Sequence, residues 1–508
     1  MRQLRGLPEL LITLAGRRLS PRESAAVLRV DVRLVLAQPA QCVISWLIDD
    51  TPPARRVNPS AGDSLRVEIG GLRVPLFVGE VTVVEYSYGA NSAREVSVRA
   101  YDALHRLRKR QATRLHDDVD LASLTRTLTA GTGLAVRAEP IRLGRVYQCA
   151  RTDLDLLVHT SRRVGRFPVV DDGVLHLVSL DGDGDGDGEP IVLELGSNLH
   201  SATIEISQEP AYRSATTARW DPGTATGSSR TASSGRGRAG VRADPAPESV
   251  GGGGVLLRND EVLGDDELAT ALAQAELDVR VAAEVSASLV ADGDPSLRPG
   301  RRVRLLGVQE SVEGTYTVSE AVHTLTGSGY ETTVSTRPPA GPGGRPRDQV
   351  TLGVVDRVDD PESRGRAVLR LPAYPELRTG WAPVLVSAAG PGKGVVALPD
   401  VGDTVLVLLP AGDPDQAIVL GGLYGAGRTP DAGTDSPRGG RYSVRTADGQ
   451  EVTVDGHLHT VVLADGHGSQ VELGPDLLRI HAATDLVIQA PGRSILVRAR
   501  TVDFEEVP

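Results

Sequence analysis

The segment Arg441–Glu506 constrains the fold more than any other part of the chain. It contains seven short runs of alternating apolar and polar residues, the pattern of β-strands with one buried face. About 65 residues of short strands with few aromatic side chains cannot bury enough surface to offset the lost chain entropy, and their edges stay open. We therefore predict that several copies, most simply three, intertwine about one axis. The runs are Glu451–Val454, Thr460–Leu463, Gln470–Leu473, Leu477–Ile480, Asp485–Gln489, Ser494–Val497 and Thr501–Phe504.

Length, net charge, cysteine content and the absence of long apolar runs restrict the classes of protein to which the chain can belong. A chain of 508 residues predicts roughly three or four domains. The net charge of -11 argues against a nucleic-acid-binding groove. Two cysteines, Cys42 and Cys149, suit buried thiols in a reducing cytosol better than a disulfide framework. Because no apolar run approaches the roughly 18 residues of a membrane span, we expect cytoplasmic synthesis without a membrane anchor.

The first 336 residues predict a mainly β region with a few helices. Residues 1–105 alternate in short strands with regular turns, which indicates a barrel or sandwich. Val174–Leu180 and Ile191–Leu195 are expected to pair as a hairpin. The Gly/Ser-rich residues 222–254 predict a flexible loop without a packed core. The predicted helices are Tyr101–Lys109, Leu121–Ala130, Leu154–Arg163 with Asp153 as its N-cap, and Asp265–Glu284.

Two Pro/Gly-rich joints divide the rest of the chain. The first covers residues 337–349 and the second covers residues 425–440. The predicted organisation is a first β-barrel domain at 1–110, a second region with helices and a β-barrel at 111–336, a compact module at 350–424 and a strand-rich needle at 441–508.

The segment Asp183–Glu194 matches the pattern of a calcium-binding EF-hand loop. The candidate ligands are Asp183, Asp185, Asp187 and Glu194. The flanking segments predict strands instead of helices, and Pro190 occupies a position that is usually apolar. We therefore expect a solvated hairpin loop, with calcium binding as the alternative.

His457 and His459 are the second candidate for metal binding. On a strand they would share one face, and three copies about an axis would offer six imidazoles to a transition metal. Nearly 50 residues follow them, so they would lie far from the tip of a needle. We expect exposed, solvated histidines.

Motifs of catalysis are missing from the sequence. It has no nucleophile elbow, HExxH pair, phosphate-binding loop or dinucleotide fingerprint. The acidic pairs Asp171-Asp172 and Glu505-Glu506 are adjacent in sequence and predict surface charge. We assign no catalytic, cofactor-binding or metal-binding residue, and predict that the protein is not an enzyme.

The module at 351–424 closely resembles the OB-fold of VgrG and of phage baseplate assembly protein V. The resemblance covers the whole module in order. It is carried by Leu352–Val355, Asp360-Pro361, Arg364–Pro372, Gly380–Val384, Gly394–Asp403 and Gly412–Tyr424.

The first 340 residues resemble the hub of the same proteins, the phage late control gene D family, and the end of the chain resembles their triple-stranded β-helix in pattern. The segments that resemble the hub are Val98–Leu107, Thr152–Leu157, Gly165–Phe167, Leu297–Gly300, Gly314–Val318, Val322-His323 and Gly329–Thr333. Some relatives carry a lysozyme domain beyond the OB-fold, but the joint Gly425–Gly440 is too short for one.

The resemblance implies a homotrimeric central spike of a contractile injection machine, either a phage-tail-like particle or a type VI-like system. The implied partners are the inner tube protein, baseplate proteins and a PAAR-like tip protein or cargo at the C-terminus, with the target membrane met only on firing. Such a spike is assembled into a baseplate, and release from the cell with the particle is a further expectation. The alternatives are a β-helical enzyme that degrades envelope polysaccharide and a spike that serves mainly as a toxin carrier.

Overall fold

The computed structural model describes residues 9–47, 57–72, 74–89, 94–182, 189–221, 226–236, 238–239, 241–244, 246–250, 254–258, 266–339, 348–374, 377–390, 392–425, 427, 429 and 440–505. The chain divides into two compact units, Met1–Leu423 and Tyr424–Pro508. Most of the regular structure is β, which confirms the predicted fold class. We call residues 9–339 the hub, residues 348–423 the neck and residues 440–505 the tail.

The first barrel of the hub is formed by strands whose inward side chains are apolar. Val30, Val32 and Leu34 are buried, whereas Arg29 and Arg33, at alternate positions, are exposed. This alternation follows from the two-residue period of a strand. The elements are β1 (Leu10–Leu14), β2 (Arg17–Arg18), α1 (Pro21–Ala25), β3 (Val27–Val35), β4 (Gln41–Leu47), β5 (Ser64–Ile69), β6 (Phe77–Tyr88) and β7 (Arg94–Tyr101).

A layer of helices and short strands follows the first barrel. Its helices bury leucines such as Leu124, Leu128 and Leu157 in a core of their own. The first predicted helix is a 3-10 helix, Ala103–Lys109. The other elements are β8 (Gln111–Asp120), α2 (Leu121–Thr129), β9 (Ala135–Arg137), β10 (Arg142–Thr152), α3 (Asp153–Arg163), β11 (Phe167–Asp171) and β12 (Val174–Val178).

The predicted N-cap of α3 is wrong by one residue. The cap is Thr152, whose Oγ1 accepts a hydrogen bond from the Asp155 N–H at 3.1 Å. Asp153 is buried instead, and its carboxylate accepts hydrogen bonds from Gln148 at 2.8 Å and Arg114 at 3.2 Å. Either residue type can cap a helix, so the local sequence could not choose between them.

A second barrel completes the hub. Its core is built from Val, Leu and Ala with one buried tyrosine, Tyr316. The elements are β13 (Ile191–Glu194), β14 (Leu199–Ile206), β15 (Ser214–Asp221), β16 (Thr226–Ala232), β17 (Arg238–Ala239), a 3-10 helix (Pro247–Val250), β18 (Val255–Arg258), α4 (Asp266–Glu284), β19 (Val285–Asp292), β20 (Arg302–Leu306), a 3-10 helix (Glu310–Val312), β21 (Gly314–Thr317), β22 (Glu320–Thr326) and β23 (Gly329–Ser335). Among the described residues, none of the helices is both long and apolar enough to cross a membrane.

Two sequence predictions for this region are wrong. Strands β12 and β13 do not form a hairpin: β12 pairs with β11 and β9, and β13 pairs with β20 in parallel. The segment 222–254 also contains strand β16, which pairs with β15 and packs against α4 through Ala232 and Leu277. A Gly/Ser-rich strand can be held in this way because the partner strand and the helix supply the apolar surface.

The two barrels share one sheet. Strand β22 pairs with β3 in antiparallel register, so that Ala321 faces Leu34 and Leu325 faces Val30. The resulting sheet has eleven strands in the order β14-β19-β23-β22-β3-β4-β7-β6-β5-β1-β2. The N-terminal and C-terminal parts of the hub are therefore joined by a ladder between residues almost 300 positions apart.

The neck is a small barrel with the predicted OB-fold. Its core holds apolar residues of five strands, among them Val355, Leu369 and Val407. Gly353 lies so close to the neighbouring strand, Thr404–Leu409, that an added Cβ would lie 2.8 Å from Val407 Cγ2. The elements are β24 (Gln349–Arg357), β25 (Arg366–Arg370), β26 (Ala382–Pro383), β27 (Ala389–Gly390), β28 (Lys393–Gly394), β29 (Thr404–Leu409), two 3-10 helices (Pro410–Gly412 and Pro414–Gln416) and β30 (Ile418–Gly422).

The tail contains an antiparallel meander of five strands: β31 (Arg441–Arg445), β32 (Glu451–Asp455), β33 (Thr460–Ala464), β34 (Gln470–Leu473) and β35 (Leu478–His481). Strands β32–β35 coincide with four of the predicted runs. Within the described residues 482–505, the last three predicted runs form no ladder in the single chain. The sequence pattern therefore identified seven strand-like runs, of which four pair within one copy.

Candidate functional site: the neck and its junction with the hub

A buried ion pair shapes the entry of the neck. The side chains of Asp360 and Arg366 are 3% and 10% exposed, and the Arg366 guanidinium donates to both carboxylate oxygens of Asp360 at 2.7 and 2.9 Å. The same carboxylate accepts the backbone N–H groups of Glu362 and Arg364. The Arg366 guanidinium, followed by these N–H groups, holds the pKa of Asp360 well below its usual range. The Asp360 carboxylate therefore holds the turn before β25 through hydrogen bonds from both a charged side chain and the backbone.

The neck is joined to the hub by a polar contact between β10 and the loop after β29. Arg145 forms an ion pair with Asp415 of the neck and approaches Asp117 of the hub at 3.4 Å. Tyr147, two residues further along β10, donates its hydroxyl to the Arg378 carbonyl oxygen at 3.3 Å. The Arg145 guanidinium also lies 5.5 Å from the centre of the Tyr147 ring. One strand of the hub therefore contacts two separate loops of the neck.

Gly380 leaves room for this contact. A Cβ at this position would lie 2.8 Å from Asp415 Oδ1 and 3.0 Å from Arg145 Nη1. Any side chain at residue 380 would therefore have to displace the ion pair.

A cavity of about 690 Å³ lies beside the junction. Its walls carry Arg145 and Arg163 from the hub, and Asp413 and Asp415 from the neck. Burial raises the pKa of Asp413 to about 6, and burial lowers the pKa of His159 to about 3. The two signs of charge are balanced across the cavity, an arrangement that suits a fixed junction between domains.

Both thiols are free, and burial disfavours their reactive form. Cys42 is fully buried in the first barrel, and Cys149 is half-buried at the cavity wall. Burial raises the pKa of both groups, that of Cys149 to about 11. Neither cysteine is therefore a thiolate at neutral pH, which is the form that a nucleophile or a metal ligand requires.

The segment Asp183–Glu194 is expected to be a solvated hairpin loop, with calcium binding as the alternative, and its first half lies outside the described residues. Asp183, Asp185 and Asp187 belong to that part of the chain. Glu194 is described, and it ends β13 as an exposed residue whose N–H donates to Asn198 Oδ1 at 2.8 Å.

The metal hypothesis required the two histidines of the tail to share one face of a strand, and they do not. His457 and His459 lie in the turn between β32 and β33, where both are exposed. His459 has a φ of 55°, and Asp455 accepts the N–H groups of His457 and Leu458 at 2.8 and 2.9 Å. Within the described part of the chain, no group of three His, Cys, Asp or Glu residues is arranged to hold a metal ion.

The first acidic pair lies at the end of β11, and Glu505 of the second pair lies at the end of the described tail. Asp171 ends β11 and accepts a hydrogen bond from Arg298 Nη1 at 3.0 Å, while Asp172 occupies the following turn with a φ of 41°. Glu505 is exposed at the end of the described tail, and Glu506 lies outside the described residues.

Sequence reasoning did not find the junction. Arg145 and Asp415 are 270 residues apart and belong to no motif, so no local signal could pair them. The neck, in contrast, could be identified because its turn residues and apolar strands occur within one continuous segment.

Two known protein families match parts of the chain. Residues 351–424 match the type VI secretion system/phage-baseplate injector OB domain. Residues 62–327, more than half of the chain, match the Alg8 N-terminal domain. No curated protein matches the sequence.

Several solved structures share the fold. The 43 kDa tail protein of prophage MuSo2 from Shewanella oneidensis is 15% identical, with a TM-score of 0.51 over 65% of this chain and 98% of its own. The lidded Francisella PdpA-VgrG complex is 8% identical, with a TM-score of 0.54 over 94% of this chain and 81% of its own. The half-lidded complex is 9% identical, with a TM-score of 0.54 over 94% and 89%.

At these low sequence identities the similarity to solved structures shows a shared fold and nothing more. The family to which the chain belongs is shown by the family matches. The injector OB domain coincides with the neck, and the Alg8 N-terminal domain covers most of the hub. The chain therefore belongs to the family of the Alg8 N-terminal domain, and its neck matches the type VI secretion system/phage-baseplate injector OB domain.

Proposed function

We propose that the protein is the central spike of a contractile injection machine, a homotrimer that connects the tube to the tip and pierces the target envelope when the sheath contracts. The observation that carries this proposal is the injector OB domain at residues 351–424, set between a two-barrel hub and a tail of short strands. Its role is mechanical: the spike transmits force and is unchanged by use.

The tail supports the trimer because it has no core of its own. Among its described residues only Thr453 and Asp455 are buried, and neither is apolar. Large apolar side chains remain in water, including Ile488 at 70% exposure and Phe504 at 96%. Apolar surface on this scale is a feature of interfaces between chains.

The unpaired end of the tail supports the same assembly. Residues 482–505 carry three runs of alternating residues that find no ladder within one copy. Their N–H and C=O groups would pair with neighbouring copies, and a closed three-fold β-prism would leave no open strand edge along its length. Residues 482–505 would then form an intertwined β-helix that follows the five-stranded meander in each chain.

The proposed partners follow from this role. A hub of two barrels sharing one sheet is suited to seat the spike under the inner tube protein, with baseplate proteins around it. A tip protein of the PAAR type, or a cargo protein, would bind at the end of the needle. The similarity to VgrG solved in complex with PdpA favours cargo carriage as an additional role. We further propose cytoplasmic synthesis followed by assembly into the particle.

The mass of the full-length protein in solution tests the trimer. We expect three times the chain mass of 53.5 kDa by light scattering, with no monomer at micromolar concentration. A stable monomer would be inconsistent with the proposed spike.

We also propose that the protein has no catalytic activity. Arg145 and Asp415 are paired across the junction, and burial keeps Cys149 as a thiol. The alternative, an enzyme that degrades envelope polysaccharide, is tested by incubating purified protein with peptidoglycan and capsule preparations. Release of soluble sugar by the clean protein would favour the enzyme.

A further inference from the structure

An arm of the neck, residues 385–399, leaves the barrel between β26 and β29. At its root the Leu385 N–H donates to the Val419 carbonyl oxygen at 2.8 Å. Further along, strands β27 and β28 pair as a small hairpin, and the Val395 N–H donates to the Ala388 carbonyl oxygen at 3.1 Å. The backbone of the arm is thus ordered by its own hydrogen bonds.

The side chains of the arm have no place in the core of the neck. Val396 is 86% exposed, and Leu385 and Val395 are 61% and 50% exposed. Lys393 is the only charged residue in the arm. An exposed apolar segment almost without charge matches the composition of the centre of a protein interface.

We propose that this arm is a contact between copies of the chain, in which the arms of three copies pack against one another around a three-fold axis. The inference rests on the proposed trimer, and the position of the arm supports a second copy as the occupant. The arm root is bonded to β30, which ends at Gly422, immediately before the second compact unit begins at Tyr424.

The covalent connection between the neck and the tail explains why another copy is the favoured partner. Tails that trimerise would hold three necks together at the strand from which each chain leaves the neck. Neighbouring arms would then meet at a high effective concentration. Identical arms around one axis would cover one another in a closed ring, so that no copy keeps an uncovered arm.

A charge at the centre of the arm tests this contact in the full-length protein. Val396→Asp would place an unpaired carboxylate in the proposed interface, and we expect the concentration at which trimers dissociate to rise by about tenfold or more. The matched control is Val192→Asp, at a 46% exposed valine of the hub, with an expected change below about twofold. Mass photometry over a dilution series measures both.

Cross-linking gives a second readout that does not depend on destabilising the protein. In a Cys149→Ser background the remaining native thiol, Cys42, is fully buried. Val396→Cys in this background should give covalent dimers or trimers with a short bismaleimide, whereas Val192→Cys should not.

The outcomes separate this inference from the proposed function. A trimeric wild-type protein whose Val396→Asp variant dissociates like wild type, and whose Val396→Cys variant does not cross-link, would overturn the arm contact and leave the trimer intact. A monomeric wild-type protein would overturn both.

Discussion

His323 shows how burial sets the properties of single residues in the hub. It is fully buried on β22, where Tyr330 Oη and Thr332 Oγ1 lie 3.0 and 3.1 Å from its Nδ1. Burial, assisted by the charge of Arg298, lowers the pKa of His323 to about 3. Asp102 shows the opposite case, since burial raises its pKa to about 7. In both cases burial disfavours the charged form of the side chain.

Acidification should weaken the hub through His323. The unfolded chain binds a proton below about pH 6.5, whereas the folded chain keeps the imidazole neutral until about pH 3. The His323 contribution is therefore complete above pH 6.5 and falls by about 1.4 kcal/mol per pH unit below it. Because Asp102 contributes stability that is lost as the pH rises towards 7, the quantity to measure is the difference between wild type and His323→Gln in denaturant unfolding. A difference that stays constant from pH 7 to pH 4.5 would contradict the prediction.

The core of the neck should be sensitive to the truncation of a single buried side chain. Leu369 is fully buried, and Leu369→Ala should cost about 2–5 kcal/mol because the cavity left behind cannot collapse completely. The control Leu352→Ala removes a leucine that is 47% exposed on β24 of the same module, and it should cost markedly less. Hydrogen exchange of neck peptides measures both, and equal costs would be inconsistent with this core.

At the scale of elements, strands and helices follow from periodicity, whereas their partners do not. The alternation in β3 predicted a strand, and in the structure Val30, Val32 and Leu34 form its buried face. The same reasoning paired β12 with β13 because they are neighbours in sequence. In the structure β13 lies in parallel beside β20, more than 100 residues away. A strand pattern specifies a buried face, and the partner is selected by the packing of the whole domain.

The junction of hub and neck should be energetically coupled through Arg145 and Asp415. Their side chains are 29% and 30% exposed, and a double-mutant cycle with alanine should give a coupling of about 0.5–3 kcal/mol. The exposed pair Arg337–Glu205, at 61% and 55%, is the control and should give about 0–1 kcal/mol. Hydrogen exchange of residues 410–416 and denaturant unfolding measure the coupling, and additive single effects at the junction would contradict it.

At the scale of the whole molecule, the two compact units differ in how they achieve stability. The hub and the neck have cores of fully buried Val, Leu and Ile side chains. The described tail has backbone ladders without an apolar core. A folded tail therefore depends on other copies for the apolar burial that offsets its chain entropy.

Removing the unpaired end of the tail should weaken the trimer. A chain ending at His481 keeps the five-stranded meander but loses the three runs that lack a ladder, and we expect trimers to dissociate at concentrations where the full chain does not. A chain ending at Glu505 is the control and should behave like wild type. Equal trimer stability of the two shortened chains by analytical ultracentrifugation would exclude a role for residues 482–505 in assembly.

Short-range alternation and turn residues were enough to predict the mainly β fold and the strand pattern of the tail, and the family resemblance identified the neck because it is carried by residues of one continuous segment, 351–424. The shared eleven-stranded sheet, the Arg145–Asp415 junction, the ordered strand β16 and the exposure of the arm at 385–399 became visible only in the folded chain. These depend on residues that are distant in sequence, and the contacts between them are selected by the free energy of the whole packed domain, which no local pattern records.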